Sequence, residues 1–245
     1  MKIVLLTAIG VGGATVLGAV IGFVFKNISH RFSDIVLAFA AGVMLGAALL
    51  GLILPSLEYG GKLGALTTVG GIFSGAALIS VLDRLVPHLH ATFGHQDSTA
   101  DRGRLDKVIL FVLAIAIHNL PEGIAAGVGF GSGNTENAIF IAFGIALQNI
   151  PEGMVIISPM LLAGVPPKRT FLVAALTGAV EVVGTLFGYF AVSVSSALLP
   201  FSLAFAGGTM LYVISDEMIP DTHADGAERG ATYALLAGFS LMLLL

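Results

Sequence analysis

Eight apolar stretches, each about twenty residues long, follow one another along this chain. About twenty apolar residues in a helix cross the hydrocarbon core of a bilayer, and lipid offers no hydrogen-bond partners to a non-helical backbone. The pattern predicts an all-α integral membrane protein with eight transmembrane helices, in a single transmembrane domain over residues 1–245. The predicted helices lie near 3–25, 34–57, 64–86, 108–130, 137–163, 170–192, 198–219 and 230–245.

The composition limits the class of protein and the kind of partner. With 56% hydrophobic and 11% charged residues, the chain does not have the composition of an ordinary soluble domain. The net charge of -4 comes without a basic tract, so nucleic acid is not expected as a partner. Cysteine is absent, so a metal ion would have to be bound by oxygen atoms and imidazole nitrogen.

The positions of Lys and Arg predict the orientation in the membrane. Eight spans place nine of the 11 basic residues on one side and only Lys2 and Lys62 on the other. Cytoplasmic loops of membrane proteins carry the excess of positive charge. We therefore expect a multi-pass protein of the cell membrane with both termini outside the cytoplasm and a histidine-containing cytoplasmic loop at 87–107.

Two near copies of one six-residue segment lie inside apolar stretches: HNLPEG begins at His118 and QNIPEG begins at Gln148. On a helix, the first, second and fifth positions of each copy fall within one 100° arc. Each proline also leaves a helix carbonyl without its usual donor. Two such helices facing each other would form a cation site, since ionisable residues at this depth are functional candidates by default. The alternative is that the kinks only pack two helices, with carboxyl groups protonated or hydrogen-bonded to the adjacent Asn.

The doubled Asn-x-Pro-Glu-Gly segments resemble the fourth and fifth helices of the Zrt/Irt-like (ZIP) divalent-metal transporters, and the chain is similar to their bacterial GufA-like branch. The resemblance implies a ZIP-like bundle of eight helices around a binuclear metal site. Family members often have His where this chain has Gln148, and some members of the branch have Asp where it has Asn149, so the site here carries less negative charge. The resemblance assigns one ion to His118, Glu122, Gln148 and Glu152, and a second ion to Asn119, Asn149 and Glu181 with the shared Glu122 and Glu152.

A second group of ionisable residues is expected at the cytoplasmic ends of the third and seventh helices. These residues, which could form an exit or sensing site, are Asp83, His88, His90, Asp216 and Glu217. The alternative is that they are simply solvated helix ends.

The resemblance implies a secondary transporter, not an enzyme, which moves a divalent cation into the cytoplasm by alternating access. Helices one, four, five and six would move against the other four. Zinc is the expected ion, and iron, manganese or cadmium also suit the ligand types. No prosthetic group is expected, and the expected partners are the cation, the lipid bilayer and a second copy in a homodimer. The alternatives are an intramembrane metal-dependent hydrolase and a metal sensor that does not transport.

Overall fold

The computed structural model describes residues 1–25, 29–85, 102–224 and 228–245, and within these ranges the chain forms eight long helices and no strand. The all-α fold class is confirmed. Six helices in the described ranges are long and apolar enough to cross a membrane, which makes this a multi-pass membrane protein. The helices are α1 (Lys2–Val24), α2 (His30–Tyr59), α3 (Gly64–Leu85), α4 (Arg102–Gly131), α5 (Thr135–Leu162), α6 (Pro167–Val194), α7 (Leu199–Thr222) and α8 (Glu228–Leu244).

Short polar segments begin and separate these helices. The Ser29 hydroxyl caps α2 by accepting a hydrogen bond from the backbone of Phe32 at 3.3 Å. The Asn134 side chain caps α5 by accepting from the backbone of Asn137 at 3.1 Å. Gly133 lies between α4 and α5 with φ of 78°, a conformation that glycine adopts without strain. The tight turn makes α4 and α5 antiparallel neighbours.

Two helices contain π-helical segments, and each segment is followed by a proline. The segment Ala47–Ile53 in α2 precedes Pro55, and the segment Ile214–Met218 in α7 precedes Pro220. Proline has no backbone N–H, so Pro55 cannot donate to the carbonyl of Gly51 four residues earlier. The side-chain amide of Asn137, on α5, donates to that carbonyl at 3.0 Å. The irregular turn of α2 is therefore hydrogen-bonded to a different helix.

The helices pack as two groups of four. The site group consists of α1, α4, α5 and α6, in which α1 packs on α5 and α6 and α4 packs on α6. The frame group consists of α2, α3, α7 and α8, in which α2 packs on α8 and α3 packs on α7.

Glycines bring the helices of each group into backbone contact. A Cβ atom at Gly12 of α1 would overlap the backbone at Gly178 of α6, and a Cβ at Gly42 of α2 would overlap the backbone of α8. Small residues allow membrane helices to approach this closely. Between the groups, the described glycines Gly51 and Gly144 face side chains instead, mainly those of Ile141 and Met242. At these four glycines, the atom nearest the added Cβ is a backbone atom within a group and a side-chain atom between the groups.

Candidate metal site

The turn between α4 and α5 places the two repeated segments at the same depth. His118 lies 13 residues before the end of α4 at Gly131, and Gln148 lies 13 residues after the start of α5 at Thr135. At 1.5 Å per residue, each segment begins on the order of 20 Å from the turn. The hydrocarbon core of a bilayer is about 30 Å thick, so both segments lie well inside it.

The carboxylate of Glu181 joins four helices through hydrogen bonds. Its Oε1 atom accepts from the Thr15 hydroxyl of α1 at 2.7 Å and from the Asn119 amide of α4 at 2.6 Å. Its Oε2 atom accepts from the Asn149 amide of α5 at 2.5 Å. Glu181 itself lies on α6 and is fully buried. The structure therefore brings together the second residue of each repeat and the glutamate predicted from the sixth span.

The glycine of each repeat permits this arrangement. A Cβ atom at Gly123 would overlap the backbone of Glu181, and a Cβ at Gly153 would overlap the backbone of Thr15. Each glycine lies four residues after the asparagine, on the same helix face. The close approach of α4 to α6 and of α5 to α1 therefore brings Asn119 and Asn149 within hydrogen-bonding distance of Glu181.

Several buried oxygen atoms at this level have no hydrogen-bond partner among the described residues. They are Oδ1 of Asn119, Oε2 of Glu122, Oε1 of Gln148 and Oδ1 of Asn149. All four side chains are at most 2% exposed. A buried acceptor without a donor costs about 1–3 kcal/mol, so four of them on two adjacent helices need a compensating ligand. A divalent cation is such a ligand, because it binds carboxylate and amide oxygens.

Three carboxyl groups lie close to these oxygens. Glu122 is a neighbour of Glu152 and Glu181, and Glu152 is a neighbour of His118. Carboxylates gathered inside a membrane are costly unless a cation neutralises them. In the part of the chain that the structure describes, no three His, Asp or Glu side chains converge closely enough to hold a metal ion by themselves. The neutral amides are therefore needed to complete a coordination shell.

Glu217 from the frame group also reaches this site. Its Oε1 atom lies 3.0 Å from Nε2 of His118, and both side chains are 15% exposed. The sequence predicts that Glu217 lies with the cytoplasmic residues, because it is near the end of the seventh predicted helix. The π-helical segment Ile214–Met218 carries Glu217, and its neighbour Asp216 is exposed. The contact joins α4 of the site group to α7 of the frame group.

The rest of the predicted cytoplasmic group is outside the described structure. His88 and His90 lie outside the described residues, and so does the side chain of Asp83. That these residues lie near Asp216 therefore stays a prediction.

Thr15 is the residue of this cluster that sequence reasoning missed. A threonine in an apolar helix commonly donates to a carbonyl of its own helix, as Thr185 does to Glu181 at 2.9 Å. Thr15 donates instead to a side chain 166 positions away. Its local sequence carries no signal of that partner, and the contact of Glu217 with His118 was also not predicted.

Comparison with known proteins identifies the family. The family described as ZIP Zinc transporter matches residues 94–245. The zinc transporter GufA of Myxococcus xanthus is 41% identical over 240 residues, which cover 96% of this chain and 94% of that protein.

Two further bacterial relatives extend over nearly the whole chain. The zinc transporter ZIPB of Bordetella bronchiseptica is 40% identical over 243 residues, covering 95% of this chain and 76% of the relative. The zinc transporter ZupT of Chlorobaculum parvum is 35% identical over 246 residues, covering 94% and 91%. The predicted resemblance is thereby confirmed. The chain belongs to the ZIP zinc transporter family, in its bacterial GufA-like branch.

Proposed function

We propose that this protein is a secondary transporter that carries divalent transition-metal cations, zinc foremost, across the cell membrane into the cytoplasm. The main support for the proposal is a set of buried oxygen atoms that have no hydrogen-bond partner among the described residues and lie near three carboxyl groups. These oxygens belong to Asn119, Glu122, Gln148 and Asn149. The names of three relatives as zinc transporters point to the same cation. Activity as an enzyme is not part of the proposal.

The ion is held by ligands from both repeats. His118 and Glu122 of α4 and Gln148 and Glu152 of α5 would contribute to the coordinating set, together with the amide oxygens of Asn119 and Asn149. Imidazole nitrogen and carboxylate oxygen are common zinc ligands, and iron, manganese and cadmium accept the same donor types. Both helices contribute, so the ion and the site group move as one body.

Alternating access would follow from movement of the site group against the frame group. Glycine-mediated backbone contacts support each group as a rigid unit, because any separation would break several close contacts at once. The side-chain contacts of Gly51 and Gly144 support sliding between the units. The hydrogen bond from Asn137 to Gly51 and the contact of His118 with Glu217 both cross this boundary. Both would have to break during transport.

The orientation of the chain in the membrane, which defines the cytoplasmic side, rests on the charge distribution. Nine basic residues on one side support that side as cytoplasmic, with both termini outside. Asp216 and Glu217 lie near the end of α7 on the same side, where His88 and His90 also belong by sequence. Asp216, His88 and His90, with Asp83, would receive the ion after its release, whereas Glu217 contacts His118 at the central site.

Flux into sealed vesicles tests the proposal. The full chain is reconstituted into liposomes that contain a zinc-sensitive dye, and zinc is added outside. We expect saturable entry of zinc that protein-free liposomes lack. Zinc binding without entry would indicate a sensor, and zinc-dependent cleavage of a peptide or ester without entry would indicate a hydrolase. Either result would overturn the proposed function.

A further inference from the structure

The carboxylate of Glu181 is already occupied by side-chain donors. Oε1 accepts two hydrogen bonds, from Thr15 and Asn119, and Oε2 accepts one from Asn149. A carboxylate oxygen has two lone pairs, so both lone pairs of Oε1 are committed. The amide nitrogen of Asn149 also donates to the backbone carbonyl of Val11 at 3.2 Å, which holds that amide in its orientation.

The orientation of the two amides decides where a cation can bind. Each amide directs its NH2 group towards Glu181, so its oxygen is turned away from that carboxylate. Both amide oxygens are buried and have no donor among the described residues. A cation on Glu181 would meet the positively polarised amide hydrogens, whereas a cation on the far side would meet the amide oxygens.

We propose that Glu181, held by Thr15, is a positioning residue that turns the side-chain oxygens of Asn119 and Asn149 towards a single bound cation, and that Glu181 is not itself a ligand. This inference rests on the proposed function, because it assigns the coordination at the same site. Glu181 contributes its negative charge from behind the amides. The cation takes its oxygens from the two repeats on α4 and α5.

Asn149 is the residue that sets the number of ions. An aspartate at this position could not donate to Glu181, and two facing carboxylates would repel each other. A second cation between them would remove that repulsion. The amide therefore keeps the site mononuclear, and replacing it with a carboxylate should create a second ion position that uses Glu181.

The number of zinc ions bound per chain tests the proposal. The purified full-length chain and its variants are dialysed against radioactive zinc, and zinc X-ray absorption gives the number of coordinating atoms. We expect one ion for the parent and for Glu181→Gln, with the Kd of Glu181→Gln raised about tenfold, as for other groups that orient metal ligands. Thr15→Val should raise the Kd in the same direction, and Thr15→Ser should restore it.

The variants at position 149 provide the converse test. Asn149→Asp should bind two ions, and Asn149→Asp combined with Glu181→Gln should bind one. Two ions in the parent that fall to one in Glu181→Gln would overturn the proposal, since Glu181 would then be a ligand. A single ion in Asn149→Asp, or an unchanged Kd in both Glu181→Gln and Thr15→Val, would also overturn it. No zinc bound by the parent would overturn the proposed function as well.

Discussion

His118 lies between two possible partners, the bound cation and the carboxylate of Glu217. An imidazole binds metal through a neutral nitrogen, whereas a protonated imidazole forms an ion pair with a carboxylate. In this structure Nε2 of His118 lies 3.0 Å from Oε1 of Glu217, so this contact uses a ring nitrogen that a cation would need. Protons and zinc therefore compete for this side chain.

The competition predicts that zinc flux rises with pH between about 5.5 and 7.5, because an unperturbed histidine changes charge near pH 6.5. A proton on the ring nitrogen excludes zinc from it, so loss of that proton towards the upper end of the range favours zinc binding. Initial rates of uptake into proteoliposomes, at constant free zinc, measure the profile. His118→Gln should flatten it, while His30→Gln, which changes an exposed histidine, should not. A full pH profile in His118→Gln would show that another group titrates.

The side chains of the site differ in how visible they are in the sequence. His118 and Glu122 were predictable, since a repeated segment with carboxylates at helical spacing has few structural explanations in an apolar stretch. Thr15 was not, because its partner Glu181 lies on a helix whose position relative to α1 no local pattern encodes. The contact of Glu217 with His118 was not predicted, because the sequence does not reveal the π-helical turn that carries Glu217.

At the scale of the helix, the glycine of each repeat sets the distance between elements. Gly153 lies against the backbone of Thr15, and this contact brings Asn149 of α5 to Glu181 of α6. Each repeat therefore contains proposed metal ligands and also the glycine whose close packing positions them.

Gly153→Ala should push α5 away from α1, because its methyl group would overlap backbone atoms that cannot rotate aside. Overpacking of this kind costs about 1–3 kcal/mol, so we expect a lower unfolding temperature together with weaker zinc binding. Gly13→Ala is the matched control, since no atom lies within 4 Å of a Cβ added there. Thermal unfolding in detergent and zinc titration measure both effects. Equal behaviour of the two variants would contradict the role given to Gly153.

Most of each helix was predictable from apolar length, whereas its irregularities were not. The helices begin and end within six residues of the predicted stretches, the largest difference being residue 102 against 108 at the start of α4. Polar residues extend several helices beyond their apolar stretches, and hydropathy alone does not predict these extensions. The π-helical segments before Pro55 and Pro220 depend on hydrogen bonds such as that from Asn137, which form only when the helices are assembled.

In the proposed transport cycle, the site group of helices moves against the frame group. A Cβ atom at Gly144 of α5 would lie 3.1 Å from the Cβ of Ala47 on α2, so a small outward shift would reach the about 3.5–4.5 Å that separates the Cβ atoms of a disulfide. The chain contains no cysteine, so a disulfide within it can form only between two introduced cysteines. The boundary between the groups can therefore be locked at a chosen point.

Oxidation of the double variant Ala47→Cys and Gly144→Cys should stop zinc uptake, and reduction should restore it, because the disulfide would hold the two groups together. The matched pair Gly129→Cys and Ala138→Cys lies within the site group, where the added Cβ at 129 would be 3.7 Å from that of Ala138. This control should transport zinc when oxidised. Undiminished uptake by the oxidised cross-group pair would show that the groups do not move against each other there.

Uptake of radioactive zinc by proteoliposomes containing Glu122→Gln or Glu152→Gln tests whether the ion crosses the membrane through the paired repeats. Each change keeps the side-chain shape and removes one negative charge from the site. We predict that the initial rate falls about ten- to a hundredfold in both variants, while Glu136→Gln, an exposed glutamate on α5, transports like the parent. Near-parental uptake by either variant, with normal protein insertion, would show that the ion does not cross the membrane through the paired repeats.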